Sequence, residues 1–88
     1  MPTLSVFFGI IVRMYTETGG QHNCPHLHAE YQSHKIVVSL DGKILEGSFP
    51  NKKLHMLLAW TEIHREDLMA NWELLSAGEK AFRIDPLR

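Results

Sequence analysis

Residues 27–48, LHAEYQSHKIVVSLDGKILEGS, decide the fold because they hold two turn signals between stretches of apolar residues. Asp41-Gly42 is a strong signal for a two-residue hairpin turn, since glycine readily adopts the positive φ that such a turn requires. Gln32-Ser33 is the second expected two-residue turn. Apolar and polar residues alternate beside it, which is the pattern of half-buried strands. The stretch therefore predicts three antiparallel strands joined by two short turns.

The two turns also predict which residues face each other across the strands. Around the second turn the expected pairs are Leu40 with Lys43, Val38 with Leu45, and Val37 with Glu46. Around the first turn they are Tyr31 with His34, Glu30 with Lys35, and His28 with Val37. Because the charges of Glu30 and Lys35 are opposite, these two residues are expected to form a cross-strand ion pair.

This register separates an apolar face from a polar face of the sheet. The apolar face, which a helix should cover, collects Leu27, Ala29, Tyr31, Ile36, Val38, Leu40 and Leu45. The residues on the opposite side, which we call the polar face, are His26, His28, Glu30, Lys35, Ser39, Glu46 and Ser48.

The rest of the chain predicts one earlier strand and a long helix. The apolar run Val6–Val12 does not alternate, which is typical of a strand covered on both faces. A helix is expected over residues 49–77, with Ser48 as its cap, Gly78 as its stop and apolar residues at spacings of three and four. At about 1.5 Å per residue its length is about 40 Å. It therefore either breaks near residues 64–67 or projects past the sheet toward a partner chain.

The predicted fold is a single α+β domain over residues 1–88. Residues 1–48 form a four-stranded antiparallel β-sheet, and the element order is β-β-β-β-α. Residues 49–77 form one long C-terminal helix packed on one face, and residues 78–88 form a C-terminal tail or a short strand.

Composition excludes several classes of protein. Hydrophobic residues make up 44% of the 88 residues and the formal net charge is −1, so neither disorder nor binding of nucleic acid by net charge alone is indicated. One cysteine, Cys24, excludes an internal disulfide framework and fits a reducing compartment. No apolar run approaches the roughly 20 residues that span a bilayer, and the opening MPTLS lacks a charged signal region. We expect a small cytoplasmic protein that does not bind membranes.

The segment QHNCPHLHAE concentrates side chains that can bind a metal ion. His26 and His28 are two positions apart on a predicted strand, so both project from the same face. His22 is the third predicted ligand, and Cys24 or Glu46 is a candidate for a further one. Imidazole, thiolate and carboxylate suit zinc or a similar divalent ion. The alternative is that these histidines are solvated or hydrogen-bonded residues of a polar surface.

The polar face also carries residue types that acid–base catalysis uses. Histidine titrates near neutral pH, and two histidines beside a carboxylate and a cation can act on a phosphodiester. The candidate catalytic residues are His26, His28, Glu46 and Lys35.

A second, narrower apolar strip runs along the predicted helix. It consists of Met56, Trp60 and Ile63. One helix cannot bury two strips against one small sheet, so this strip predicts an interface with a second copy or with another small protein.

The chain resembles, over almost its full length, a family of small bacterial proteins known as domain of unknown function 4160. The matching pieces are FFGI at residues 7–10, RMY at residues 13–15, His22, PHLHA at residues 25–29, LEG at residues 45–47, Pro50, Trp60, His64, NW at residues 71–72 and IDPL at residues 84–87. This sequence has Cys24 where the family usually has proline and Leu27 where it usually has phenylalanine, and it carries extra residues around 18–20. The resemblance implies a protein often encoded beside another short protein, similar to one half of a toxin–antitoxin pair, and it supplies no catalytic residues.

Three functional hypotheses follow from these observations. The leading one is a cytoplasmic interaction module, resembling a toxin–antitoxin component, that forms a homodimer or binds a small protein encoded nearby. The second is a metal- or histidine-dependent hydrolase or ribonuclease that uses the cluster of His22, His26 and His28. The third is a non-catalytic module that binds a divalent metal such as zinc.

Overall fold

The computed structural model describes residues 2–16 and 24–88, which form an antiparallel sheet followed by two α-helices. The five strands, adjacent in the sheet in chain order, are β1 (Thr3–Phe7), β2 (Ile10–Arg13), β3 (His26–Tyr31), β4 (His34–Ser39) and β5 (Ile44–Gly47). The helices are α1 (Asn51–Ile63) and α2 (Arg65–Ser76). The predicted α+β class with an antiparallel sheet is confirmed, whereas four strands and one long helix were too few.

The additional strand arises because the run Val6–Val12 turns back on itself. Phe8 and Gly9 have φ values of 49° and 81°, and two successive residues with positive φ form the tight turn that joins β1 to β2. An added Cβ on Gly9 would lie 3.1 Å from the Tyr31 ring, so this position also favours glycine. The prediction of a single strand here was wrong because Phe-Gly is not one of the common turn pairs.

The register between β3 and β4 is the predicted one. Tyr31 faces His34, Glu30 faces Lys35 and His28 faces Val37.

The register between β4 and β5 is only partly as predicted. Val37 faces Glu46, but Val38 faces Ile44 because Leu45 forms a bulge in the ladder. The Ser39 N–H donates to Lys43 O, so the turn contains three residues and Leu40 does not pair with Lys43.

The long apolar stripe is divided between two helices at His64, which has φ −106° and ψ 22°. Of the two predicted outcomes, a break and not a projection past the sheet is observed. Pro50, and not Ser48, precedes the first helical residue, and no side chain caps α1. The predicted stop at Gly78 is confirmed, since its N–H donates to Leu75 O and the Glu79 N–H donates to Leu74 O.

Trp60 lies at the centre of the core. It is fully buried, and its ring centroid lies 5.2 Å from that of Phe7 in β1. Its indole Nε1–H donates to Asp85 O at 2.8 Å, which attaches the C-terminal tail to α1. A single residue therefore connects the sheet, the first helix and the tail.

The tail is held along β1 without forming a strand of its own. Buried Asn71 in α2 pairs through both amide atoms with the backbone of Phe82, at 2.7 and 3.1 Å. The Ile84 N–H donates to Leu4 O at 2.8 Å. The outer side of β1 is therefore partly covered by the tail.

The second helix lies across one end of the sheet. At its start Arg65 pairs with Asp41 in the turn between β4 and β5. Farther along, the ring centroid of Trp72 lies 5.1 Å from that of His26 at the start of β3. Neither helix of the described chain is long and apolar enough to cross a membrane.

Gly47→Ala should destabilise the fold strongly. Gly47 has φ 82°, and an added Cβ would clash with the backbone carbonyl of Lys35 in the neighbouring strand. The combined conformational and steric penalty should lower the free energy of unfolding by about 2–5 kcal/mol, measured by urea denaturation. The control is Gly42→Ala, where φ is 90° but no atom lies within 4 Å of the added Cβ. Equal losses for the two variants would contradict this account of the β4–β5 pairing.

Candidate functional site

The candidate site lies on the polar face of the sheet, where neighbouring strands align its residues. Arg13 faces His28, His28 faces Val37, and Val37 faces Glu46. Two residues farther along β3, Glu30 lies on the same face as His28 and faces Lys35 of β4. The register thus gathers a histidine, an arginine, a lysine and two carboxylates from β2, β3, β4 and β5 on one surface.

His26 occupies a different environment from the one its place on the polar face predicted. Its exposed fraction is only 1%, because Trp72 of α2 packs beside its ring. Its Nδ1–H donates to the carbonyl oxygen of Cys24 at 2.8 Å. The structure therefore places His26 in the packing between the sheet and α2 and not on an open surface.

His28 is oriented by Tyr15. The two rings stack with centroids 4.4 Å apart and an angle of 19° between their planes. The Tyr15 hydroxyl lies 3.3 Å from Nδ1 of His28, so a hydrogen bond accompanies the stacking. The His26 and His28 ring centroids are 5.3 Å apart.

A groove of about 450 Å³ lies beside this pair of rings. We call it the polar-face groove, and its walls are formed by Tyr15, His28, Ala29, Glu30, Lys35, Ile36, Val37, Glu46 and Gly47. Its volume lies in the range of small-ligand pockets. It brings together three of the four candidate catalytic residues, namely His28, Lys35 and Glu46, and leaves out His26. The groove therefore does not contain the second histidine that acid–base catalysis by a pair of histidines would require.

The charges in the groove are arranged differently from the prediction. Glu30 does face Lys35 across the strands, but its carboxylate accepts from the Arg13 guanidinium at 2.8 Å. Within residues 2–16 and 24–88, Lys35 and Glu46 belong to no ion pair. A cation and a carboxylate of the groove are thus available to a ligand of complementary charge.

The predicted metal site is covered only in part by the described residues. His22 lies outside them, and Cys24 is an exposed free thiol. Among residues whose positions are described, no group of three or more His, Cys, Asp or Glu side chains is arranged to hold a metal ion. A site that combines His26, His28 and His22 stays a prediction.

The predicted partner strip does not form a continuous exposed surface. Trp60 is fully buried, Met56 is half-buried, and only Ile63 is exposed, at 66%. The physical reason is that Trp60 packs against Phe7, while the break at His64 directs α2 across the end of the sheet. Trp60 is therefore not available as an interface residue, contrary to the prediction.

Tyr15 was not predicted as a site residue, although the sequence contains a signal for it. Arg13 ends β2, and Tyr15 follows two positions later, where a continuing strand would place it on the same face. Residues 6–12 were predicted to form one continuous strand. For this reason β2 was not identified as a separate strand whose polar face Tyr15 would extend.

The family comparison matches most of the chain. The model described as "Domain of unknown function (DUF4160)" matches residues 9–73. The chain belongs to this family. In this DUF4160 chain the matched segment begins at the β1–β2 turn, ends within α2 and contains every residue of the polar-face groove. Comparisons with curated proteins and with solved structures found no match.

His26→Ala should act mainly on stability. Removing a buried ring that packs on Trp72 and donates to Cys24 leaves a cavity and a carbonyl without its donor. We expect the free energy of unfolding to fall by about 2–4 kcal/mol in chemical denaturation. His55→Ala, on the exposed side of α1, is the control and should change it by less than about 0.5 kcal/mol. A His26→Ala variant as stable as wild type would show that His26 is not a packing residue.

Proposed function

We propose that this DUF4160 chain is a cytoplasmic interaction module, resembling a toxin–antitoxin component, that binds a protein partner in the polar-face groove. The observation that carries the proposal is the groove itself, which combines a nearly buried Val37 with charged residues around it. An apolar centre within a polar rim is the usual composition of a protein interface. Lys35 and Glu46 belong to no ion pair among the described residues and supply charges for a partner.

The position of the groove supports an extended segment as the bound part of the partner. Glu46 and Gly47 belong to β5, which is the last strand of the sheet. An extended peptide can add to an edge strand through main-chain hydrogen bonds while its side chains enter neighbouring pockets. The opposite edge, β1, is partly occupied by the tail through the bond from Ile84 to Leu4. The β5 side is therefore the more accessible edge for a partner.

Charge complementarity specifies the partner further. A basic side chain of the bound segment would pair with Glu46, and an acidic one would pair with Lys35. Since the resemblance to this family implies a protein encoded beside another short protein, the product of the neighbouring gene is the partner to test.

Glu46→Lys should weaken binding of that neighbouring protein by about tenfold or more in isothermal titration calorimetry, since it puts like charges in contact. Glu46 is exposed, so the variant should fold like wild type. The matched control is Ile63→Asp, which changes the exposed residue of the earlier predicted strip and should leave the affinity unchanged.

Two results would contradict this function. In one, wild type does not bind the neighbouring protein. In the other, Ile63→Asp abolishes binding while Glu46→Lys preserves it, which would move the interface to α1.

A further inference from the structure

The described residues at one end of the sheet include basic and aromatic side chains but no acidic one. We call it the turn end, and it comprises residues 7–10, 31–35 and 48–55, which include the β1–β2 turn, the β3–β4 turn and the start of α1. These segments contain Lys35, Lys52 and Lys53 and no Asp or Glu, although the chain as a whole has ten acidic and nine basic residues. The near-neutral total therefore conceals a local excess of positive charge.

Contacts of Lys53 hold the three segments of the turn end together. Its ammonium group donates to the carbonyl oxygen of Phe8 at 2.9 Å. The same group lies 4.8 Å from the centroid of the Tyr31 ring and 5.9 Å from that of Phe8. Tyr31 in turn packs edge-on against Phe49, with centroids 6.3 Å apart. The positive charge thus lies beside the Phe8 and Tyr31 rings, and the buried Phe49 packs against Tyr31.

The backbone conformation and the exposure of Phe8 are not explained by packing of the core. The residue has a φ of 49°, a conformation that asparagine or glycine adopts far more readily than a bulky side chain. Its side chain is nevertheless 53% exposed. Backbone conformations of this strained kind cluster at active sites and ligand-binding sites.

We propose that the turn end binds single-stranded nucleic acid. A base stacks on the exposed Phe8 ring, and backbone phosphates pair with Lys52 and Lys53. Proteins that bind single strands without sequence preference combine these two elements, aromatic platforms and basic side chains that follow the backbone. An acidic peptide would satisfy the lysines but would not need an exposed ring, so the combination favours a nucleic acid. The turn end shares Lys35 with the wall of the polar-face groove, but Phe8, Lys52 and Lys53 lie outside the groove. This proposal therefore does not depend on the function proposed for the groove.

The test is fluorescence anisotropy of a labelled ten-nucleotide oligouridylate with the full chain at low salt. Phe8→Asn, which suits the positive φ of the turn, should weaken binding at least about fivefold, because base–aromatic stacking is lost. Phe8→Tyr keeps a ring and should bind like wild type. Lys52→Glu should weaken binding and reduce its salt dependence, since fewer counterions are released.

Two matched controls change the same residue types elsewhere. Phe82→Ala removes an exposed phenylalanine of the tail, and Lys43→Glu reverses an exposed lysine next to the β4–β5 turn. Both variants should bind the oligonucleotide like wild type. Circular dichroism and thermal unfolding of each variant verify that it is folded. If Phe8→Asn does not fold, the comparison of Lys52→Glu with Lys43→Glu decides whether the oligonucleotide binds at the turn end.

Several results would overturn the proposal. If the wild-type chain does not bind the oligonucleotide at low salt, the proposed site is excluded. Equal binding by wild type and Phe8→Asn excludes stacking, and equal losses in Lys52→Glu and Lys43→Glu exclude a localised surface. Displacement of the oligonucleotide by polyglutamate at an equal concentration of charges would identify an acidic peptide as the better ligand.

Discussion

The burial of Trp60 is the constraint on which the rest of the architecture depends. Its ring packs on Phe7 of the first strand, its Nε1–H binds the backbone of Asp85 in the tail, and it lies one turn before the break at His64. A straight helix of this length would leave the apolar residues of its second half beyond the sheet. Because the chain breaks after Trp60, α2 can cross the end of the sheet and bury Leu68 and Asn71.

The way the helices pack determines which surface remains for function. The buried core joins the apolar face of the sheet to α1, and α2 closes one end through contacts such as Trp72 with His26. The tail covers part of the β1 edge. Among the described residues, the accessible surfaces include the polar face with its groove and the turn end with Phe8. The two proposals concern these two surfaces because they contain charges and an exposed ring that the packing does not require.

The sequence predicts the centre of the sheet well because local turn chemistry determines it. Gln32-Ser33 places His28 opposite Val37 and Glu30 opposite Lys35. The pairing of Val37 with Glu46 across the next turn then brings Lys35 and Glu46 to the same groove. The bulge at Leu45 was not predictable from alternation, since Gly42 is compatible with a two-residue turn and with the three-residue turn that forms.

Other features depended on contacts between distant parts of the chain. Alternation correctly assigned His26 to the face opposite Leu27, but its burial results from Trp72, 46 positions later in the sequence. Helical spacing assigned Trp60 to an exposed strip because its packing partner Phe7 lies in a distant strand. The position of the helix break was not signalled either, since His64 is neither glycine nor proline. The β1–β2 turn was missed because the residue type of Phe8 is unfavourable for positive φ. The same unfavourable conformation is one of the observations behind the proposed nucleic-acid site.

We propose that this protein binds a partner in the polar-face groove and not on the surface of α1. The most direct test is nuclear magnetic resonance mapping of ¹⁵N-labelled wild-type chain titrated with the protein encoded beside it. The account predicts that the largest amide shift changes occur in β3, β4 and β5, around His28, Lys35 and Glu46. Changes concentrated in α1 around Met56 and Ile63, with the three strands unaffected, would contradict it.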